Sequence, residues 1–298
     1  MLDLAGLREA IRATTSLVVL TGAGISAESG VPVFRGAGGL WRNYSPEQLA
    51  TPEAFARNPR LVWEWYDWRR RVIHKAQPNA GHRALVALED RIAAPGEGSF
   101  TLVTQNVDGL HDGAGSRNIV KLHGDIWLVR CTACGALERN KDVPLKELPP
   151  RCRCGAILRP GVVWFGEGLP TEKWELASQA CARTRVMMVV GTSAVVYPAA
   201  GLAELALAAR ASSPSSTLSP RPWIAGPSGC CGDRRERSCL DFCEDSGFGI
   251  QDSGRGQSRI LDLKHCRRSW FEADPGLCKA FGDCQRVTRR TRNPVGDR

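Results

Sequence analysis

The sequence predicts an α/β fold, a doubly wound and mostly parallel sheet flanked by helices. Three observations predict it. Short apolar runs alternate with segments of helical period, each run ends in a glycine-bearing or polar turn, and those turns hold most of the reactive side chains. In sheets of this kind the ligand crevice forms at the carboxyl ends of the strands.

The elements follow in order. "MLDLAGLREAIRATTS" reads as an amphipathic helix and lacks the apolar core of a secretion signal, so a cytoplasmic protein is expected. "SLVVLT" (16–21) is a buried strand that runs straight into "GAGISAESG". A basic, aromatic-rich helical stretch fills roughly 47–75, and Asn79 in "PNAGHRALVALEDRI" is placed to cap the next helix. "FTLVTQ" (100–105) leads into "NVDGLHDGAG", "NIVKLHG" ends at a histidine, and "RVMMVVGTS" (185–193) runs into a Gly-Thr-Ser turn. From about residue 211 the texture changes. "ASSPSSTLSPRPWIAGPSGCCGDRRERSC" carries neither period, so residues 211–298 read as an irregular, low-order tail.

Composition narrows the function. With 298 residues, 43% of them hydrophobic and 24% charged, the chain has the make-up of a globular protein with a full core. No apolar run approaches the roughly 18 residues needed to span a bilayer, so no membrane partner is expected. The net charge of +9 divides into about +5 for residues 1–210 and +4 for 211–298. It forms no basic stripe with interleaved aromatics, which argues against a specific nucleic-acid partner. Of the 12 cysteines, five precede residue 182 and seven follow residue 229. In a reducing compartment, paired cysteines suggest metal before disulfide.

Four clusters carry chemistry. Gly22-Ala23-Gly24-Ile25-Ser26-Ala27 fits G-x-G-x-x-A after a strand, a turn whose amides can approach a pyrophosphate. Gly30 and Pro32 interrupt the following helix and no acidic residue ends a second strand about 20 positions on, so phosphate contact is expected and hydride transfer is not. Cys131-Thr-Ala-Cys134 and Cys152-Arg-Cys154, each followed by glycine, offer four thiolates for one structural Zn²⁺, with no coordination position left open. "VVWFGE" (162–167) is an extended segment able to pair with a substrate strand. Tyr66 and Arg69 stand three apart in "WEWYDWRRR", on one face of a helix, which is either an ordinary amphipathic surface or a phenol–guanidinium fork for a carboxylate.

"GAGISAESGVPVFRG" (22–36), "TQNVD" (104–108), "HG" (123–124), "VVWFGE" and "GTS" (191–193) occur together and in this order. Over roughly residues 1–210 the chain strongly resembles the sirtuins, NAD-dependent protein lysine deacylases. The resemblance implies a Rossmann-like domain with a small zinc module inserted at about 124–160. It also implies a reaction in which an acyl-lysine carbonyl oxygen attacks the nicotinamide ribose of NAD, yielding free lysine, nicotinamide and O-acyl-ADP-ribose. It assigns His123 as general base, with Asn106 beside it in catalysis. Gly22, Ala23, Gly24, Ser26, Glu28, Phe34, Arg35, Gln105, Asn106, Asp108, Gly191, Thr192 and Ser193 are expected to bind the cofactor, and Val163, Phe165 and Gly166 the substrate. The Tyr66-x-x-Arg69 fork matches the branch that removes succinyl and malonyl groups. The partners implied are acylated lysines of other proteins. An inactive NAD- or zinc-binding interaction protein and a mono-ADP-ribosyltransferase are the alternatives.

The tail departs from the family, whose strand, asparagine and adenine-contacting segment after this point are missing from residues 211–298. Codons permitted for 211–240, read two nucleotides later, allow a β-rich run, an asparagine and a Gly-Pro-Ala-Gly-Glu close. A change of frame near residue 211 is therefore expected, leaving the sheet without an edge partner and weakening the hold on NAD.

Overall fold

The computed structural model describes residues 4–33, 46–93, 96, 98–194, 196–211, 223–224 and 262–263. Phe34, Arg35 and nearly all of the tail fall outside the described residues. Every described element belongs to one compact unit, Met1–His265.

The main sheet has the order β3-β2-β1-β7-β8, built on β1 (Ser16–Thr21), β2 (Ser99–Thr104), β3 (Ile119–Lys121), β7 (Val186–Val190) and the two-residue β8 (Trp223–Ile224), with every pairing parallel. Five of the six β1 residues are buried, because helices cover both faces of a parallel sheet. That is why "SLVVLT" and "VMMVV" are continuous apolar runs rather than alternating ones. One core joins β1, β2, β3 and β7 to α7 (Thr171–Arg183) and α8 (Gly201–Ala211). The amino-terminal helix α1 (Leu4–Ala13) and α5 (Ala80–Ala93) form where expected, and the side-chain oxygen of Asn79 caps α5 by accepting from the His82 amide at 3.2 Å.

Two expectations need correction. The 47–75 stretch is three helices, α2 (Pro46–Leu49), α3 (Pro52–Arg57) and α4 (Pro59–Lys75). Thr51 caps α3 and Asn58 both ends α3 and caps α4, accepting from Ala54 N at 3.1 Å and Leu61 N at 3.0 Å, and each precedes a proline. The tail also does not leave the sheet without an edge partner. The two-residue strands β8 (Trp223–Ile224) and β9 (Asp262–Leu263) pair with β7, as the open donors and acceptors of an edge strand favour.

Between β3 and α7 the chain forms a small antiparallel sheet, β5-β4-β6, from β4 (Gly124–Cys131), β5 (Leu137–Arg139) and β6 (Leu158–Val162). Its core is continuous with α3 and α4. Arg70 of α4 is fully buried there and donates to the Ile126 carbonyl from Nε at 3.0 Å and Nη2 at 2.7 Å, and to Asn140 Oδ1 at 2.8 Å. Trp63 Nε1 donates to the Leu158 carbonyl at 2.7 Å and the Leu145 amide to Asp67 Oδ1 at 2.8 Å. Helix α4 is thereby bolted to the small module by three side chains. No helix among the described residues is long and apolar enough to cross a membrane.

Candidate active site

The carboxyl ends of β1 and β7 meet at glycines, and β2 ends beside them, the Gln105 amide donating to the Thr21 carbonyl at 3.0 Å. The Gly22 amide donates to the Val190 carbonyl at 3.1 Å and the Gly24 amide to the Gly191 carbonyl at 2.7 Å. Gly191 has φ +63°, and a Cβ there would run into the Ile25 amide. A Cβ on Gly22 would come within 2.6 Å of the Thr192 Cβ, so both turns need glycine to close on each other. After Gly22 the chain enters a short 3-10 helix, Ala23–Ser29, with Ala23 half-buried in the turn.

Behind this turn lies a dense polar network. Ser26, wholly buried, donates to Asp108 Oδ2 at 2.8 Å. Asn106 Nδ2 donates to the Gly22 carbonyl at 3.0 Å and to Ser26 Oγ at 3.2 Å, and Gln105 Nε2 donates to Thr192 Oγ1 at 3.0 Å. Burial raises the Asp108 carboxyl, against the pull of the Leu110 amide, Ser26 and the Arg69 guanidinium. The structure thus gathers Gly22, Ala23, Gly24, Ser26, Gln105, Asn106, Asp108, Gly191 and Thr192. Glu28 and Ser193 are exposed and make no hydrogen bond within this network.

The network extends to residues that the motifs did not reveal. His82 Nε2 is 3.5 Å from Ser26 Oγ, its ring lies 4.8 Å from that of His111, and His111 Nε2 is 3.0 Å from Thr21 Oγ1. Thr21 Oγ1 in turn donates to Thr104 Oγ1 at 2.8 Å. Burial pushes His82 down to about 4 and His111 to about 3, so both rings are neutral near pH 7. Their one sequence signal is position: His82 is three residues past the capping Asn79, and His111 three past Asp108.

His123 follows β3, two residues past Lys121. Its Nδ1 lies 3.1 Å from the Gln105 carbonyl oxygen. A carbonyl only accepts, so Nδ1 carries the proton and neutral His123 keeps its lone pair on Nε2. Burial lowers the His123 pKa below the usual imidazole value, and the Gln105 bond partly opposes that shift. The His123 carbonyl accepts from the Val163 amide at 3.0 Å, which ties the histidine to the segment after β6.

In that segment the Phe165 amide donates to the Ala50 carbonyl at 2.9 Å, the Phe165 side chain is 46% exposed, and Gly166 is open with φ +85°. Trp164, between Val163 and Phe165, points inward and donates from Nε1 to the Tyr66 hydroxyl at 3.0 Å. Tyr66 and Arg69 are both buried, and the Arg69 guanidinium lies 5.4 Å from the Tyr66 ring centre and 4.7 Å from that of Trp65. Burial raises the Tyr66 pKa and lowers that of Arg69; the attraction of Tyr66 and then of Asp108 opposes the Arg69 shift. The fork therefore stands within electrostatic reach of the Ser26–Asp108 network.

The four cysteines of the small module converge. Sγ of Cys131 is 3.5 Å from that of Cys154, Sγ of Cys134 is 3.8 Å from that of Cys152, and all four sulfurs lie within 4.8 Å of one another. Zinc–sulfur bonds of about 2.3 Å in a tetrahedron put sulfurs about 3.8 Å apart, so the four thiolates fit one Zn²⁺. The amides of Cys134 and Ala133, both 3.4 Å from Cys131 Sγ, hold that thiol down at about 6. Gly135 (φ +73°) and Gly155 (φ +88°) turn the chain back after each pair.

Comparison with known proteins agrees with this geometry. The Sir2 family model matches residues 22–198. An NAD-dependent protein deacylase of Aquifex aeolicus is 57% identical over 188 residues, 63% of this chain and 77% of that protein. NAD-dependent protein deacylase 2 of Pyrobaculum aerophilum is 57% identical over 190 residues, 63% and 74% of the two chains. The solved structure of a Sir2 homolog–NAD complex aligns with a TM-score of 0.64 at 47% identity, covering 70% of this chain and 79% of that one. A Sir2 structure with a deacetylated p53 peptide and 3′-O-acetyl ADP ribose aligns with a TM-score of 0.62 at 31% identity, covering 70% and 84%. With strand-end glycines, buried polar network, histidine and four-cysteine module all inside or beside the matched span, the chain belongs to the Sir2 family.

Proposed function

We propose that the chain is a cytoplasmic NAD-dependent protein lysine deacylase that prefers succinyl and malonyl groups and retains activity on acetyl-lysine. Bound NAD supplies an electrophilic ribose carbon and a nicotinamide leaving group. Gly22, Ala23 and Gly24, facing Gly191 and Thr192 across the strand ends, form a turn with no bulky side chain between backbone and ligand, where the Ala23 amide and the Thr192 hydroxyl serve its phosphate and ribose portions, with Glu28 and Ser193 at the rim. Asn106 and Gln105 flank the reacting sugar, and Asp108, held by Ser26, orients the nicotinamide amide. Phe34 and Arg35 are assigned to the cofactor side from sequence alone.

The observation that carries the reading is the His123–Gln105 bond. It leaves a neutral imidazole with Nε2 able to take a proton from a ribose hydroxyl, in the protonation state a general base requires near neutral pH. Val163, Phe165 and Gly166, just past the end of β6 and turning at Gly166, line the edge where the substrate peptide binds. Arg69 grips the acyl carboxylate while Tyr66 donates a hydrogen bond to it. Cys131, Cys134, Cys152 and Cys154 hold Zn²⁺ with a full coordination shell, so the metal provides rigidity for the module and for α4 and takes no part in the chemistry.

Incubation with a succinyl-lysine peptide and NAD tests the reading. Equal amounts of nicotinamide, free-lysine peptide and O-succinyl-ADP-ribose are expected. ADP-ribose attached to protein would instead indicate a mono-ADP-ribosyltransferase, and no turnover an inactive binding protein.

A further inference from the structure

The hydroxyl of Tyr66 has an unusual set of neighbours. A phenol oxygen carries one proton to donate and can accept from two donors. Trp164 Nε1, which can only donate, sits 3.0 Å away. The Arg69 guanidinium, also donor-only, lies 5.4 Å from the centre of the same ring, and its positive charge acts on the phenol. Both neighbours can only donate, so neither can receive the phenol's own proton. No hydrogen bond donated by Tyr66 is present among the described residues, although the side chain is only 2% exposed. A buried hydroxyl whose proton faces away from two donors is set to meet an acceptor that arrives from outside.

Trp164 is held so that its N–H cannot turn away. The Arg159 guanidinium covers the indole at 3.6 Å from the ring centre. Arg159 is itself paired with Glu167, from Nη1 to Oε1 at 2.6 Å and from Nη2 to Oε2 at 2.8 Å. Glu167 Oε2 also accepts from the Trp164 amide at 2.8 Å, so one carboxylate fixes the indole's backbone and the guanidinium on its face. Phe55 packs against the ring with 5.3 Å between centres.

We propose that Trp164 is a specificity-determining positioning residue: its indole N–H occupies the Tyr66 oxygen as an acceptor and so turns the phenolic proton towards the carboxylate of an acidic acyl-lysine. The inference rests on the Tyr66–Arg69 fork reading and deepens it. It also links two recognition events, because Val163 and Phe165, on either side of Trp164, present the backbone assigned to the substrate peptide. The segment that receives the peptide then also aims the group that reads the acyl end.

A double-mutant cycle tests it, with kcat/KM measured on succinyl-lysine and acetyl-lysine forms of one peptide for the wild type, Trp164→Phe, Tyr66→Phe and the double variant. One net hydrogen bond is worth about 1 kcal/mol, so Trp164→Phe should lower the succinyl-to-acetyl ratio by about five- to tenfold, chiefly through KM for the succinyl peptide. Once Tyr66 is phenylalanine the same change should lower the ratio no further. An unchanged ratio in Trp164→Phe, or the same fall with and without the Tyr66 hydroxyl, would overturn the inference while leaving the fork intact. A wild type without succinyl preference would overturn the fork reading and the inference together. Thermal melting and zinc content establish that each variant is folded, and Trp164→Tyr serves as a second aromatic replacement if Trp164→Phe does not fold.

Discussion

Nδ1 of His123 lies 3.1 Å from the carbonyl oxygen of Gln105, and this one contact fixes which nitrogen of the ring is basic. Burial lowers the His123 pKa. A general base at this position works unprotonated, so on the proposed role activity is expected to fall as pH drops through this pKa. The acid limb of kcat/KM against pH should therefore lie below about 6.5, the value of an unperturbed histidine. His123→Ala should abolish turnover while NAD still binds, as calorimetry can establish. An acid limb above that of free histidine would contradict the assignment.

The His82–His111 pair predicts a stability profile. Both rings have folded pKa values, about 4 and about 3, below that of an unfolded histidine. Below about pH 6.5 the unfolded chain binds protons that the folded chain refuses, so stability is full above that pH. It declines as pH falls towards the folded values and levels off beneath them. The loss between pH 7 and pH 5 should reach a few kcal/mol, read as a lower urea midpoint, since each tenfold difference in proton affinity between the folded and unfolded chains is worth about 1.4 kcal/mol. His111→Gln should flatten this slope; an unchanged slope would remove the pair as its cause.

Legibility in the sequence follows the range of the interactions. Strand β1 could be read to the residue because both faces of a parallel strand are buried and the apolar run is unbroken. The four zinc ligands were legible because knuckle spacing is local. The breaks at Thr51 and Asn58 were in principle legible too, since each is a capping residue before a proline, but the continuous aromatic and basic texture concealed them. The interlock of Gly24 with Gly191 and the bond between Trp164 and Tyr66, 98 residues apart, were not. Nothing local distinguishes an indole that packs from one that aims a phenol. His82 and His111 meet only once α5 and α6 (Leu110–Ala114) are placed together, and each alone reads as an ordinary helix residue.

The module and α4 should fail together. One zinc per chain is expected by elemental analysis, and Cys134→Ser should abolish it. Arg70→Met should cost roughly 3 kcal/mol or more, because the Ile126 carbonyl and Asn140 would lose their donor in a buried site. Burial already draws the Arg70 pKa down to about 10, a sign of how little water reaches it. Loss of zinc with no fall in the melting temperature would contradict a structural metal.

The most direct test of the account is the succinyl-to-acetyl ratio of kcat/KM in the wild type and in Arg69→Met. Removal of a charged partner from a buried carboxylate contact costs about 2–5 kcal/mol, so the variant should lose at least about 30-fold on succinyl-lysine and far less on acetyl-lysine. An equal loss on both peptides would show that Arg69 only supports the fold, and the acidic-acyl assignment would fall with it.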